Sequence, residues 1–164
     1  MQTVWISKQL PLHLKIDIFQ ATCLPILLYG SEAWVLSADM KNRLNSYATS
    51  CYRFILNIKR TDRVRNETVL GLVGRPPLAD IVTERQLRRL GHVLRQDEDS
   101  TLHRFAIYCP QHGKRKRGRP RLLFHKYMQQ VTGLDDPEAL KSAAQDRDGW
   151  RQLVVGCCSL TQPI

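Results

Sequence analysis

Ser37-Ala-Asp-Met-Lys-Asn-Arg-Leu-Asn-Ser-Tyr-Ala-Thr-Ser-Cys-Tyr-Arg-Phe-Ile-Leu-Asn-Ile58 is the stretch on which the fold turns. Met40, Leu44, Tyr47, Cys51 and Phe54 recur at intervals of four, three, four and three, the spacing that gathers side chains on one side of a 3.6-residue helix. Ile55 and Ile58 widen that stripe. Ser37 stands where its hydroxyl can accept from an N–H of the first turn, so the helix begins just after it. The pattern predicts a long amphipathic helix with Met40, Leu44, Tyr47, Cys51 and Phe54 toward the core.

Upstream, Leu12, Ile16, Phe19 and Cys23 make a second helical stripe, which Pro25 is expected to end or kink because it lacks an N–H and crowds the preceding turn. A compact apolar stretch, Leu24 to Leu28, then leads to Tyr29-Gly30. Downstream, a short helix over Glu67–Val73 must stop at Gly74 and Pro76-Pro77, and Pro77 suits the first turn of another running to about Gln96. Asp97 to Asp99 reads as a solvated loop, Thr101–Tyr108 is open between helix and loop, and Pro110–Arg119 has too little apolar content to fold alone. Further helices are expected over Pro120–Val131, Pro137–Ala144 and Asp146–Val155, the second capped by Asp135-Asp136. No strand pattern persists and no repeat occurs. The fold class is all-α: a small helical bundle over residues 1–60, a helical segment with a cationic helix over 61–110, a basic loop over 111–120, and short helices with a tail over 121–164.

A chain of 164 residues that is 43% hydrophobic suits one ordinary domain or two small ones. Its net charge of +10 favours a polyanionic partner, and the charge is concentrated: residues 61–132 hold 15 basic and 7 acidic side chains. Neither a phosphate loop nor a carboxylate set for metal-dependent chemistry is present, which argues against a nucleotide-dependent enzyme. Five irregularly spaced cysteines argue against a disulfide framework, and Cys23 and Cys51 read as small core residues. The first ten residues lack a secretory pattern, and the most apolar run, Ala21–Tyr29, is too short to span a bilayer. An intracellular protein, nuclear or cytoplasmic and without membrane contact, is the expectation.

Two cationic features carry the functional reading. On the helix from Pro77, Leu87, Leu90 and Leu94 share one side, while Arg85, Arg88, Arg89, His92 and Arg95 lie roughly opposite. That face is either a solvated surface or a seat for phosphates. Lys114-Arg115-Lys116-Arg117-Gly118-Arg119-Pro120-Arg121 holds six positive charges in eight residues, and self-repulsion keeps such a run open until a polyanion neutralises it. General phosphate contact, a nuclear import signal and a plain linker all remain open for it. Arg117-Gly118-Arg119-Pro120 also resembles the core of an AT-hook, which would make the chain a stand-alone reader of A·T-rich minor grooves. Cys109 and His112, with His103 upstream, are too few for a structural zinc site. No cofactor, metal or catalytic residue is assigned.

Leu24-Pro-Ile-Leu-Leu-Tyr-Gly-Ser-Glu-Ala-Trp34, Asp62-Arg-Val-Arg-Asn-Glu67, Leu90-Gly-His-Val-Leu-Arg95, Arg117-Gly-Arg-Pro120 and Asp146-Arg-Asp-Gly-Trp-Arg151 occur in this order. Together they resemble the C-terminal region of the endonuclease–reverse transcriptase polyproteins of non-LTR (LINE-like) retrotransposons, over about Trp5 to Val155. The resemblance implies that residues up to about Lys59 correspond to a polymerase thumb and the remainder to the post-thumb segment. With the charge pattern, the expectation is a fragment that contacts RNA, DNA or a hybrid duplex through Arg85, Arg88, Arg89, Arg95, Lys114, Arg115, Lys116, Arg117, Arg119 and Arg121, and the resemblance itself carries over Gly91 and His92 within the cationic helix. Tyr29, Gly30, Glu32 and Trp34 would form a structural corner, and Trp150 a packing anchor. The aromatic-x-Asp-Asp motif of the family's palm has no counterpart, since Gly133-Leu134-Asp135-Asp136 lacks the aromatic and follows the thumb, so the chain is expected not to be an enzyme on its own. A thumb face that no longer packs on a palm would be an exposed apolar patch, open to self-association.

Overall fold

The computed structural model describes residues 4–5, 7, 9–107 and 122–159. Among them are eight α-helices: α1 (Leu12–Leu27), α2 (Ala38–Leu56), α3 (Asn66–Val73), α4 (Leu78–Leu94), α5 (Thr101–Ala106), α6 (Phe124–Thr132), α7 (Pro137–Gln145) and α8 (Arg147–Ser159). Two 3-10 turns, Ser31–Ala33 and Arg60–Asp62, complete the set, and no strand occurs among the described residues. The all-α reading is correct. None of these helices is long and apolar enough to cross a membrane. The chain divides into two compact units, Met1–Gly30 with Ser37–Ile81 and Ser31–Leu36 with Val82–Ile164. This division by packing falls inside α4, whereas segmentation at residue 60 follows charge and resemblance.

In the first unit α2 starts as expected, with the Ser37 hydroxyl accepting from the Met40 N–H at 3.3 Å, and it ends at Asn57 in the left-handed conformation. Its buried side matches the expected one only in part: Ile55 is buried as expected, and Leu44 and Cys51 are half-buried. Met40, Tyr47 and Phe54 are 43%, 50% and 57% exposed, while Ala48, Thr49, Tyr52 and Ile55 are buried. The core side lies one residue further along the chain, a rotation of about 100°. The partners decide this: α1 and α3 both pack on α2, and Tyr52 meets Phe19 of α1 edge-on, with ring centroids 5.4 Å apart. Burial pushes the Tyr52 phenol above its ordinary range, against the hydrogen bond it shares with Gln20.

Pro25 does not end α1, because the helix continues to Leu27. Pro25 is exposed and lies in the last turn, so its missing N–H removes one bond next to carbonyls that have no helical partner in any case. The segment after α2 is a turn held by Arg53, whose Nη1 donates to Asn66 Oδ1 at 2.7 Å and Nη2 to the Val64 carbonyl at 2.6 Å. Gly74 closes α3 at φ +65, the left-handed backbone that glycine adopts without a Cβ penalty.

The second unit is built around α4 from Val82 onward. Gln86 is fully buried, and its Nε2 donates to the carbonyls of Ser31 and Trp34 at 2.9 and 2.8 Å, which ties the 3-10 turn to the helix. Tyr127 of α6 lies against Thr83 of α4, and burial raises its phenol pKa. The helices α6, α7 and α8 pack on one another, and the Asp136 carboxylate caps α7 by accepting from the Glu138 N–H. The structure settles one open segment and moves several boundaries. Thr101–Ala106 is helical; α6 starts at Phe124 rather than Pro120, since Leu123 is extended; and α8 runs to Ser159, past Val155.

Candidate nucleic-acid interface

The second unit presents α4 as a helix with one open side. Val82, Thr83, Gln86, Leu87, Leu90, Val93 and Leu94 are buried, and at about 100° per residue they sweep about half of the circumference. Arg88, Arg89 and His92 are exposed, flanked by half-buried Glu84, Arg85 and Arg95. The angular separation of core and cations expected from sequence is therefore present, and three of its arginines share the open stripe.

Their electrostatic states differ. Arg88 Nη2 lies 2.6 Å from Glu84 Oε1 one turn back, an exposed pair of a kind that contributes at most about 1 kcal/mol and dissociates readily in favour of a stronger anion. Arg85 and Arg89 have no acidic partner within ion-pair distance among the described residues. His92 lies 3.2 Å from the Gln96 side chain.

Arg95 stands apart. Its Nη1 donates to the Ala144 carbonyl at the end of α7 at 2.8 Å, supplying a partner that the last turn of a helix lacks. Burial, and then the like charges of Arg147 and Arg151, hold its guanidinium below the usual arginine range. One arm of Arg95 is thus structural.

Trp150 explains why α4 and α8 meet as they do. The indole is 3% exposed, and its Nε1 donates to the Leu87 carbonyl at 3.0 Å. It lies over Gly91, where a Cβ would stand 2.7 Å from Cδ1 and 2.8 Å from Cε2, and nearer still to Nε1. Only glycine admits a ring so close to the helix backbone. This docking brings Arg147 and Arg151 of α8 to Arg95. Both are exposed and one turn apart, and the sequence reading did not select them as site residues. Their spacing is legible in the sequence, but nothing there brings them to α4.

Lys114, Arg115, Lys116, Arg117, Arg119 and Arg121 lie outside the described residues, as do Cys109 and His112. His103 is buried, at 2% exposure, and among the described residues neither ring nitrogen finds a hydrogen-bond partner and no group of three metal-ligating side chains occurs.

Neither a family model nor a solved structure matches the chain. Over 151 residues it is 27% identical to a transposon-derived protein of Caenorhabditis elegans, an alignment that covers 86% of this chain and 54% of that protein. The chain thus spans about half the length of the curated relative it matches. Over most of its length, it is similar to a protein of transposon origin.

Proposed function

We propose that the chain is a non-catalytic, nucleic-acid-binding segment corresponding to the C-terminal region of a non-LTR retrotransposon reverse transcriptase. The observation that carries this reading is the open stripe of α4: Arg85, Arg88 and Arg89 with His92, on a helix held by its opposite side, where among the described residues Glu84 is the one acidic side chain paired with these arginines. A cationic row fixed on a buried helix contacts backbone phosphates without prior ordering, and the run Lys114–Arg121 adds charge of the same sign. The transposon-derived relative and the five ordered motifs support the retrotransposon assignment.

The test is binding to single-stranded RNA, duplex DNA and hybrid duplex at several salt concentrations, comparing wild type with the Arg85→Ala/Arg89→Ala variant. Weaker binding, a flatter salt dependence and a changed preference between duplex and single strand are expected from the variant. Identical titrations would refute a role for α4.

A second reading has its own observation. Met40, Tyr47 and Phe54 form an exposed apolar row along α2, and a second copy of the chain would bury it. Concentration-dependent dimerisation by light scattering, lost on Phe54→Glu, would support this reading, and a monomer at all concentrations would refute it.

A further inference from the structure

We propose that Arg147 and Arg151 of α8, beside Arg95 just after α4, form a phosphate seat that extends the cationic stripe across the seam between the two helices and holds nucleic acid by its backbone alone. The inference rests on the nucleic-acid reading of α4 and adds a site to it. Three contacts fix the seam: the Trp150 indole N–H on the Leu87 carbonyl, Arg95 on the Ala144 carbonyl, and a longer bond of 3.5 Å from Gln145 Nε2 to the Leu94 carbonyl. The corner between α7 and α8 is therefore clamped to the end of α4. Arg147 and Arg151, four residues apart, leave the same side of α8 next to that clamp.

The charge there is unbalanced. The Asp148 carboxylate is taken by Arg151 at 2.7 Å, and Asp146 turns Oδ1 to the Asp148 N–H at 3.1 Å. Arg147 has no acidic partner among the described residues. It also stands in the first turn of α8, where the backbone end is itself positive. Three guanidinium groups thus share this corner with two carboxylates, Asp146 and Asp148, an excess of one positive charge. A phosphate oxygen relieves that repulsion and accepts the planar N–H fork that guanidinium offers.

The same geometry limits what is read. The aromatic ring of this region, Trp150, is buried beneath the seam, so no base can stack on it. Single-strand binders that engage bases pair a basic groove with exposed rings. Contact here is with phosphates, indifferent to sequence.

The experiment titrates the full chain with A·T-rich and G·C-rich duplexes over a range of salt, comparing wild type, Arg147→Gln, Arg147→Lys and the α4 variant Arg85→Ala/Arg89→Ala. Arg147→Gln should reduce the logarithmic salt slope by about 1 on both duplexes and weaken binding about fivefold near physiological salt, the counterion-release value of one phosphate contact. Arg147→Lys should retain the slope. Without nucleic acid, Arg147→Gln should melt no lower than wild type, because it removes repulsion. An unchanged slope, or a loss of binding that tracks a lower melting temperature, overturns the seat. If the α4 variant flattens the slope and Arg147→Gln does not, the seat fails and the α4 reading stands. If neither variant has an effect, or wild type does not bind, both fail.

Discussion

Gly91→Ala separates two opposed physical effects by sign. Inside a helix, alanine is ordinarily favoured over glycine by about 0.8–1.0 kcal/mol, so propensity alone expects a more stable protein. The Cβ at position 91 would instead clash with the buried indole of Trp150, 2.7 Å from Cδ1 and 2.8 Å from Cε2. Displacing the ring brings overpacking strain of roughly 1–3 kcal/mol. It also breaks the bond from Nε1 to the Leu87 carbonyl, at a cost of about 1–3 kcal/mol for buried groups left unpaired. After subtracting the propensity gain, the variant should be destabilised by about 3 kcal/mol, within roughly 1–5. Urea unfolding followed by far-UV circular dichroism measures this. A double-mutant cycle removes the remaining ambiguity: Trp150→Ala alone should cost about 3–5 kcal/mol, and adding Gly91→Ala to it should raise stability, because the obstacle is gone. A Gly91→Ala protein as stable as wild type, or additive effects in the cycle, would show that the two residues do not meet and would remove the basis for docking α8 on α4.

Ser37→Ala should lower stability by about 1 kcal/mol through loss of the α2 cap, read by the same urea titration, and Ser37→Asp should restore it. Replacing Lys114, Arg115, Lys116 and Arg117 with Ala should weaken binding to RNA, duplex DNA and hybrid alike and flatten the salt dependence; a selective loss on one of them would instead favour shape recognition. Arg119→Ala should leave A·T-rich and G·C-rich duplexes equally bound, and the loss of an A·T preference would establish a minor-groove hook. Homogeneous protein should extend no primer on an RNA template with any divalent metal, since the metal-holding carboxylates of a palm are missing from its sequence; extension above background would overturn the non-catalytic reading.

The sequence made the helices legible and left their pairing obscure, for a reason visible in α2. That helix carries two apolar rows about 100° apart, one through Met40, Tyr47 and Phe54 and the other through Ala48, Tyr52 and Ile55. Periodicity weights the first by its larger residues. The structure buries the second, because Ala48 admits a close neighbour and Tyr52 finds Phe19 across the interface. Caps were read more reliably, as Ser37, Gly74 and Asp136 show, because a cap acts on its own backbone within a turn. On α4 the cationic face was legible because arginine and leucine leave no competing stripe. Arg95, Arg147 and Arg151 were not legible as a group: they converge through Trp150 on Gly91, a contact across 59 positions of chain that no local pattern encodes.

That contact also bears on what the resemblance to retrotransposon proteins can say. In the motif Leu90–Arg95, Gly91 accepts the indole of Trp150 and Arg95 closes the end of α7. In the motif Asp146–Arg151, Trp150 is the ring that does the packing. Around Ser31–Trp34, two backbone carbonyls receive the buried amide of Gln86, and around Asp62–Glu67, Val64 and Asn66 receive Arg53. Several of the residues on which the resemblance rests therefore hold each unit together. Tyr29, Arg63, Arg65, His92, Arg147 and Arg151 are among the described motif residues that face outward. A motif that packs reports a fold, and function has to be sought in the motif residues that packing does not explain. Arg147 is the clearest of these, since it is opposed by its own helix end and by two neighbouring guanidinium groups, and an external anion is the one partner that would relieve all three.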